Sequence, residues 1–528
     1  MLSIPRWLAI TIVVIGSSIL LIKAISKFII KRKGCMNKKI TEAAEEGDLV
    51  AQVILADMYY HGEKIEKDYE KALNLYKLAS EQGDEYAQMS VAYMYCNGEG
   101  TEKDYEKAFS WYKIVAERGN EHAQLNIGYM YHNGEGVEVN EQEALKWYKK
   151  SAENGNIIAK YNIGSMYYSG HGIDIDYKEA FKWYLSSAED GYIAAILRIS
   201  DMYFEGQGVE KNYEKALYWS LKAAEKGNVD AKYNLGFSYY NGLGTEINYK
   251  EAFRWYKEAA KDGDEEAQIA IGSMYRDGCY VRKNLNKALK WYKMAGNQGC
   301  LEIQKAIADS YFKGSDVKQN YKEAFKWYKK MAEQGDAYGE VSIGDMYYNG
   351  YGVKKDYAKA LEHYNIAAEK GDSCAQYNIG VMYERGQAVP QSYEKALYYY
   401  KLSSESGNIQ ATFNVGVYYY KGSAVSRDYT EAKKWFEKAI ELGDVEALSA
   451  IGDFYYFGRG IERDYKEAFK WYEKAAENHV AVGYFNLAYM YEHGEGVDIN
   501  LQKAKEFYEK AANLGDNDAL KALEKLHN

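Results

Sequence analysis

The side chains that most often carry catalysis are sparse in this 528-residue chain and do not cluster along it. Eight histidines, His61, His122, His132, His171, His363, His479, His493 and His527, accompany neither a metal-ligand spacing nor a nucleophile–base motif. Five cysteines, Cys35, Cys96, Cys279, Cys300 and Cys374, form no recurring pair of the kind that staples a secreted repeat, and a reducing compartment fits them best. Gly-x-Gly turns such as Gly98-Glu99-Gly100 superficially resemble phosphate loops. A phosphate loop follows a strand and leads into a lysine-serine or lysine-threonine pair, and these turns do neither. The expectation is a non-enzyme with no cofactor, no metal and no evident small-molecule substrate.

The chemistry that the spacing does support is recognition. Asn126, Asn162, Asn234, Asn378, Asn414 and Asn486 are separated by multiples of 36 residues, and an amide both donates and accepts, which suits the backbone of a bound segment. Six residues after these asparagine positions the chain places Tyr60, Tyr168, Phe204, Tyr240, Phe312, Tyr348, Tyr420 and Tyr456, rigid aromatics that cover area at low entropic cost. Between the two lie Asp57, Asp201, Asp309, Asp345 and Asp453, so a partner with apolar and basic residues is favoured. In the stretch from Ala231 onward the candidate groove residues are Tyr233, Asn234, Phe237 and Tyr240. Two other readings stay open: the asparagines bond only to neighbouring helices or water, and the aromatics six residues on pack on the turn that follows them.

These residues are positioned by a repeat. Counting Ala231 as position 1, the 36-residue unit Ala231–Glu266 recurs thirteen times over 51–518 without insertion or deletion, which predicts a single elongated helical array. Position 18 is Asp, Asn or Ser in every copy, the N-cap of a second helix; position 12 is always Gly, where the first helix ends in the left-handed region. Position 33 is Gly in all copies but one, which has His479. Ala231, Leu235, Gly236 and Tyr239 form the expected inner face of the first helix, and Ala252 and Trp255 that of the second. Only two prolines, Pro5 and Pro390, interrupt the chain.

The run A-x-x-N-L/I-G-x-x-Y-x-x-G-x-G-V-x-x-D/N-Y-x-K/E-A-x-x-W-Y-x-K-A-A-E-x-G resembles the Sel-1-like repeat, a relative of the tetratricopeptide repeat with a longer turn. The resemblance covers 51–518 and implies an all-α fold: a right-handed superhelical α-solenoid of thirteen helix-turn-helix repeats plus terminal half-repeats, with first helices on the concave side and second helices outside. It also implies that the position-4 asparagines can hold a bound peptide's backbone. Members commonly serve as adaptors in assembly and quality-control complexes, while some bacterial relatives are exported and have been linked to hydrolytic activity.

The ends are read separately. Residues 1–33 contain the uncharged run Trp7 to Ile22 and six basic residues without an acid, and are expected to form a single transmembrane segment with the repeats on the cytosolic side. The alternative is a cleaved signal peptide that delivers the repeats outside the cell. Without those six cations the remaining chain moves from a net charge of −10 to −16, which disfavours nucleic acid as a partner. Residues 34–50 match only the second half of the unit and 519–528 only its first half, as an opening half-repeat and a polar cap would. Copies seven and eight depart most from the unit, at Tyr280, Gly296, Ile303 and Asp316, through either a change in curvature or drift.

Overall fold

A computed structural model of the protein describes residues 38–526 apart from Lys64. Every regular element among the described residues is a helix. A short helix over 38–45 precedes thirteen helix pairs, from Leu49–His61 with Tyr69–Glu81 to Ala481–His493 with Leu501–Asn513, and the helix Asn517–Leu526 follows. The chain divides into two compact units between Ala267 and Gln268. Within each, consecutive helices pack as neighbours, so both units are stacks of helical hairpins.

The helix boundaries follow from a few polar atoms. Each of the thirteen position-18 residues caps its second helix; Asn248, for example, accepts from the Glu251 N–H at 3.1 Å. The N–H of that same capping residue donates to the position-9 tyrosine carbonyl, as Asn248 does to Tyr239 at 2.8 Å, which closes the hairpin. Most first helices also have a cap, not anticipated from the sequence: Asn228 accepts from the Ala231 N–H at 2.8 Å, whereas Tyr192, Cys300 and Val480 supply no such bond. Gly242 ends the first helix at φ 71°. His479 keeps the left-handed conformation of the glycine it replaces, at φ 60°, and Tyr280 does likewise at φ 62°.

Packing inside a hairpin depends on a contact of which the inner-face assignment holds one member, Gly236, and omits the other, Tyr256. Gly236 lies beneath the ring of Tyr256, so close that a Cβ there would sit 2.5 Å from Tyr256 Cδ1. The same contact joins Gly128 to Tyr148, Gly164 to Tyr184, Gly344 to Tyr364 and Gly452 to Tyr472. Where the aromatic is replaced by Ser220, position 6 is Ser200 and the two hydroxyls bond at 2.8 Å. Trp255 is buried as expected, but tryptophans at its position work between repeats: a Cβ on Gly296, in the preceding second helix, would lie 3.0 Å from Trp327. Tyr239 differs from expectation in being only half-buried, because position 8, Ser238 here and Met in most copies, turns more directly to the core. Buried amides tie one repeat to the next, as when Gln124 donates to the Ala116 carbonyl at 3.0 Å and accepts from Asn154.

Copies seven and eight enclose a recess of about 180 Å³ lined by Ile269, Leu289, Ile307 and Val317, with Arg276 and Asp316. Among the described residues no helix is long and apolar enough to cross a membrane; the expected transmembrane segment, residues 1–33, lies outside the described residues.

Candidate functional site

The face of the first helices opposite the core is a series of similar recesses. One, of about 250 Å³, is lined by Asp201, Phe204, Tyr233, Asn234 and Phe237. A second in the same unit has Tyr60, Tyr76, Tyr93 and Asn126 in its wall. In the other unit Asp453, Tyr456, Phe485, Asn486 and Tyr489 line a third. The Phe204 and Tyr456 recesses each combine a position-10 aromatic with a position-4 asparagine and a position-7 ring from the following copy, whereas at Tyr60 the following copy supplies Ser90 and Tyr93 and the asparagine, Asn126, comes from the copy after that. Of the sequence-derived residues, Tyr233, Asn234 and Phe237 meet in one recess, Asn486 occupies the place equivalent to Asn234 in another, and Asn126 enters the third from one copy further along.

The position-7 rings are solvent-facing. Tyr93 is 50% exposed, Tyr129 51% and Phe237 38%. Of these rings the sequence singles out only Phe237, because position 7 reads there mainly as an acidic site. Its recurrence as an aromatic in copies two, three, six and thirteen is the signal that would have found the others.

The position-7 aspartates have a different surrounding from the one expected. Asp57 Oδ1 accepts from Tyr76 at 2.5 Å and from Tyr86 at 3.0 Å, and Asp309 Oδ1 accepts from Tyr328 and Tyr338. Asp345 accepts from Tyr364 at 2.7 Å and Asp453 from Tyr472 at 2.7 Å. Burial raises the pKa of both the Asp345 and Asp453 carboxyls above the ordinary range, while the tyrosine hydrogen bond pulls each back. These carboxylates anchor the inner tyrosines, so a basic partner is not what holds them in place. Asp201 is the exposed one of the set.

The asparagines also separate into groups. Asn378 Nδ2 donates to Asp345 at 3.2 Å, and the Asn162 amide hydrogen-bonds the Tyr148 hydroxyl, so these two serve internal contacts. Asn414 is half-buried on the same helical face. Tyr240 is half-buried, its ring edge-on to Tyr249 at 5.2 Å and near Tyr256 at 6.5 Å, and it stands back from the recess that Phe237 lines. Other position-10 tyrosines reach the turn of the next repeat: Tyr60 donates to Glu99, Tyr168 to Gln207 and Tyr348 to Gln387, at 2.8, 2.6 and 2.8 Å. This is the turn-packing alternative left open by the sequence. One histidine group converges in space although not in sequence: His132, Glu141 and His171.

The hairpin period has a direct counterpart among known families. The Sel1 repeat model matches thirteen successive stretches, from 49–84 to 481–516, eleven of them starting two residues before the unit counted from Ala231 and the other two at 304 and 375. Comparison with curated proteins gives no match. Among solved structures the chain is similar to a protective antigen present in uropathogenic Escherichia coli strains, at 30% identity, 93% of this chain, 97% of that one and a TM-score of 0.52. It is also similar to a Sel1 repeat protein from Oxalobacter formigenes, at 26% identity, 62% of this chain, 93% of that one and a TM-score of 0.54. No catalytic family is indicated. With the repeat matched over nearly all of its described length, the chain belongs to the Sel1 repeat family.

Proposed function

We propose that the protein is a non-enzymatic adaptor whose first-helix face holds an extended segment of a protein partner. The observation that carries this is the recurrence of one recess composition, an exposed ring at position 7 beside an asparagine at position 4 and an aromatic at position 10, in both compact units. Exposed aromatics on a rigid helical scaffold bury area without much loss of rotamer freedom, and the amide beside them matches a peptide group. A Sel1 repeat array is a protein-interaction scaffold, which agrees with this division of labour. The partner expected is a segment with apolar side chains; Asp201 adds a place for one cation.

Residues 1–33 are proposed to tether the array to a membrane as a single-pass segment, the Lys31-Arg32-Lys33 cluster facing the cytosol with the repeats. A second reading, export of the repeats, is favoured by one observation: the similar Escherichia coli protein is a protective antigen. The two differ in the mature N-terminus and in topology. If residues 1–33 persist in the mature chain and a tag after Asn528 is shielded in intact cells, the tethered reading stands; loss of residues 1–33 or labelling from outside overturns it. Recognition itself is tested by replacing Asn234 and Phe237 with Ala: loss of partner capture with unchanged helicity supports the groove, and retained capture removes it.

A further inference from the structure

We propose that His132, Glu141 and His171 form a binding site for a divalent first-row transition metal ion of the zinc(II) type. One ligand atom from each, two imidazole nitrogens and a carboxylate oxygen, lie within 4.8 Å of one another. His132 Nδ1 is 2.7 Å from Glu141 Oε2, and the His132 and His171 ring centroids are 5.6 Å apart. With metal–ligand bonds of roughly 2.0–2.2 Å, donors of a tetrahedral site stand ~3.4 Å apart, so closure asks for a movement on the order of 1 Å. His171 is exposed and free of core packing, which makes that movement inexpensive.

The three positions meet at other junctions in the array, but with different chemistry. Position 10 stacks edge-on against position 19 of its own copy and reaches position 13 of the next, giving Tyr60, Tyr69 and Glu99, or Tyr168, Tyr177 and Gln207, or Tyr456, Tyr465 and Glu495. Here all three positions change together, to His, Glu and His. Position 19 is Tyr or Leu in every other copy, and Glu141 is its one charged residue. A histidine–carboxylate hydrogen bond alone would account for two of the changes and leave His171 without a reason.

The backbone holds the third ligand in place. His171 lies between Gly170 and Gly172, at φ 76° and 71°, and Gln142 Nε2 donates to the Gly172 carbonyl at 2.8 Å. A Cβ on Gly172 would lie 2.3 Å from Glu141 Cβ, so the turn rests directly on the carboxylate residue. The Ser169 hydroxyl, 3.2 Å from His171 Nδ1, restrains the ring. Two imidazoles with one carboxylate suit zinc(II), nickel(II) or cobalt(II) better than magnesium or calcium, which take all-oxygen sets. A fourth position is left for water or for a donor from a bound protein.

The test is calorimetric titration of chelator-treated full chain with Zn²⁺, with Co²⁺ absorption as a report of coordination. The parent is expected to bind one equivalent that gives the visible spectrum of a low-coordinate Co²⁺ site, and H132A, E141Q and H171A each to weaken that equivalent by at least roughly tenfold. H171A alters only an exposed turn, so unchanged circular dichroism separates loss of a ligand from loss of fold. Absence of the equivalent in the parent, or affinity unchanged from the parent in H132A or H171A, overturns the proposal.

Discussion

The ring of Tyr256 lies against Gly236, with Cδ1, Cε1 and Cγ within 2.5–2.8 Å of where any Cβ would have to go. This contact, repeated through the array, fixes how close the two helices of a hairpin come and how deep the inner tyrosine sits. In the copies with glycine at position 6, the missing side chain is thus as much a determinant of the hairpin as the buried alanines.

Substituting Gly236 with Ala is expected to destabilise its unit by about 1–3 kcal/mol through overpacking. The cost should fall toward the low end, since Ala56, Ala92, Ala308 and Ala488 already stand opposite tyrosines elsewhere in the array. Urea unfolding followed by circular dichroism measures it. No change in midpoint would mean that the ring moves aside freely.

The Tyr364–Asp345 pair gives a pH dependence of known sign. The folded carboxyl has its pKa raised above 3.8 by burial, so folding favours its protonated form. Its contribution is fully present below the unfolded pKa and declines as pH rises through the folded value. Asp345→Asn, which keeps an acceptor for Tyr364 without the charge, should therefore be more stable relative to the parent at neutral pH than at pH 3. Parallel stability curves for the two proteins across that range would contradict this.

Glu340 and His363 replace the Gln and Trp found at their positions in many copies. They bond at 2.6 Å, with the Glu340 side chain 9% exposed and that of His363 25%. Removing the imidazole strands a buried carboxylate, so His363→Ala should cost about 3 kcal/mol. The double change Glu340→Gln with His363→Trp, which restores the residues of the other copies, should recover most of that loss in thermal unfolding. A double variant no better than H363A would show that the pair is not the cause.

The array itself was readable because its determinants are local and recur. The Asn248 cap, the Gly242 turn and the period of 36 each specify structure within a few residues, and thirteen copies remove ambiguity. The tyrosine–glycine contact was harder to see, since Tyr256 follows the more conspicuous Trp255 and nothing in one dimension says which ring faces the partner helix. The recesses were legible in part. Asn234 and Phe237 fall on the stripe expected of them, but Asp345 accepts from both Tyr364 and Asn378, pairings across 19 and 33 residues that only packing reveals. The same holds for His132 and His171, 39 residues apart in sequence and neighbours in space.

The measurement that bears most directly on the recognition surface is quantitative binding of a partner captured by the full chain. It would compare the parent with a variant carrying Asn234→Ala and Phe237→Ala and with a control carrying Tyr218→Ala, an exposed ring on a second helix. The groove variant is expected to weaken binding by at least about 2 kcal/mol, roughly thirtyfold, with unchanged helicity, while the control binds like the parent. Binding that survives in the groove variant and fails in the control would place recognition on the second-helix face and contradict the account.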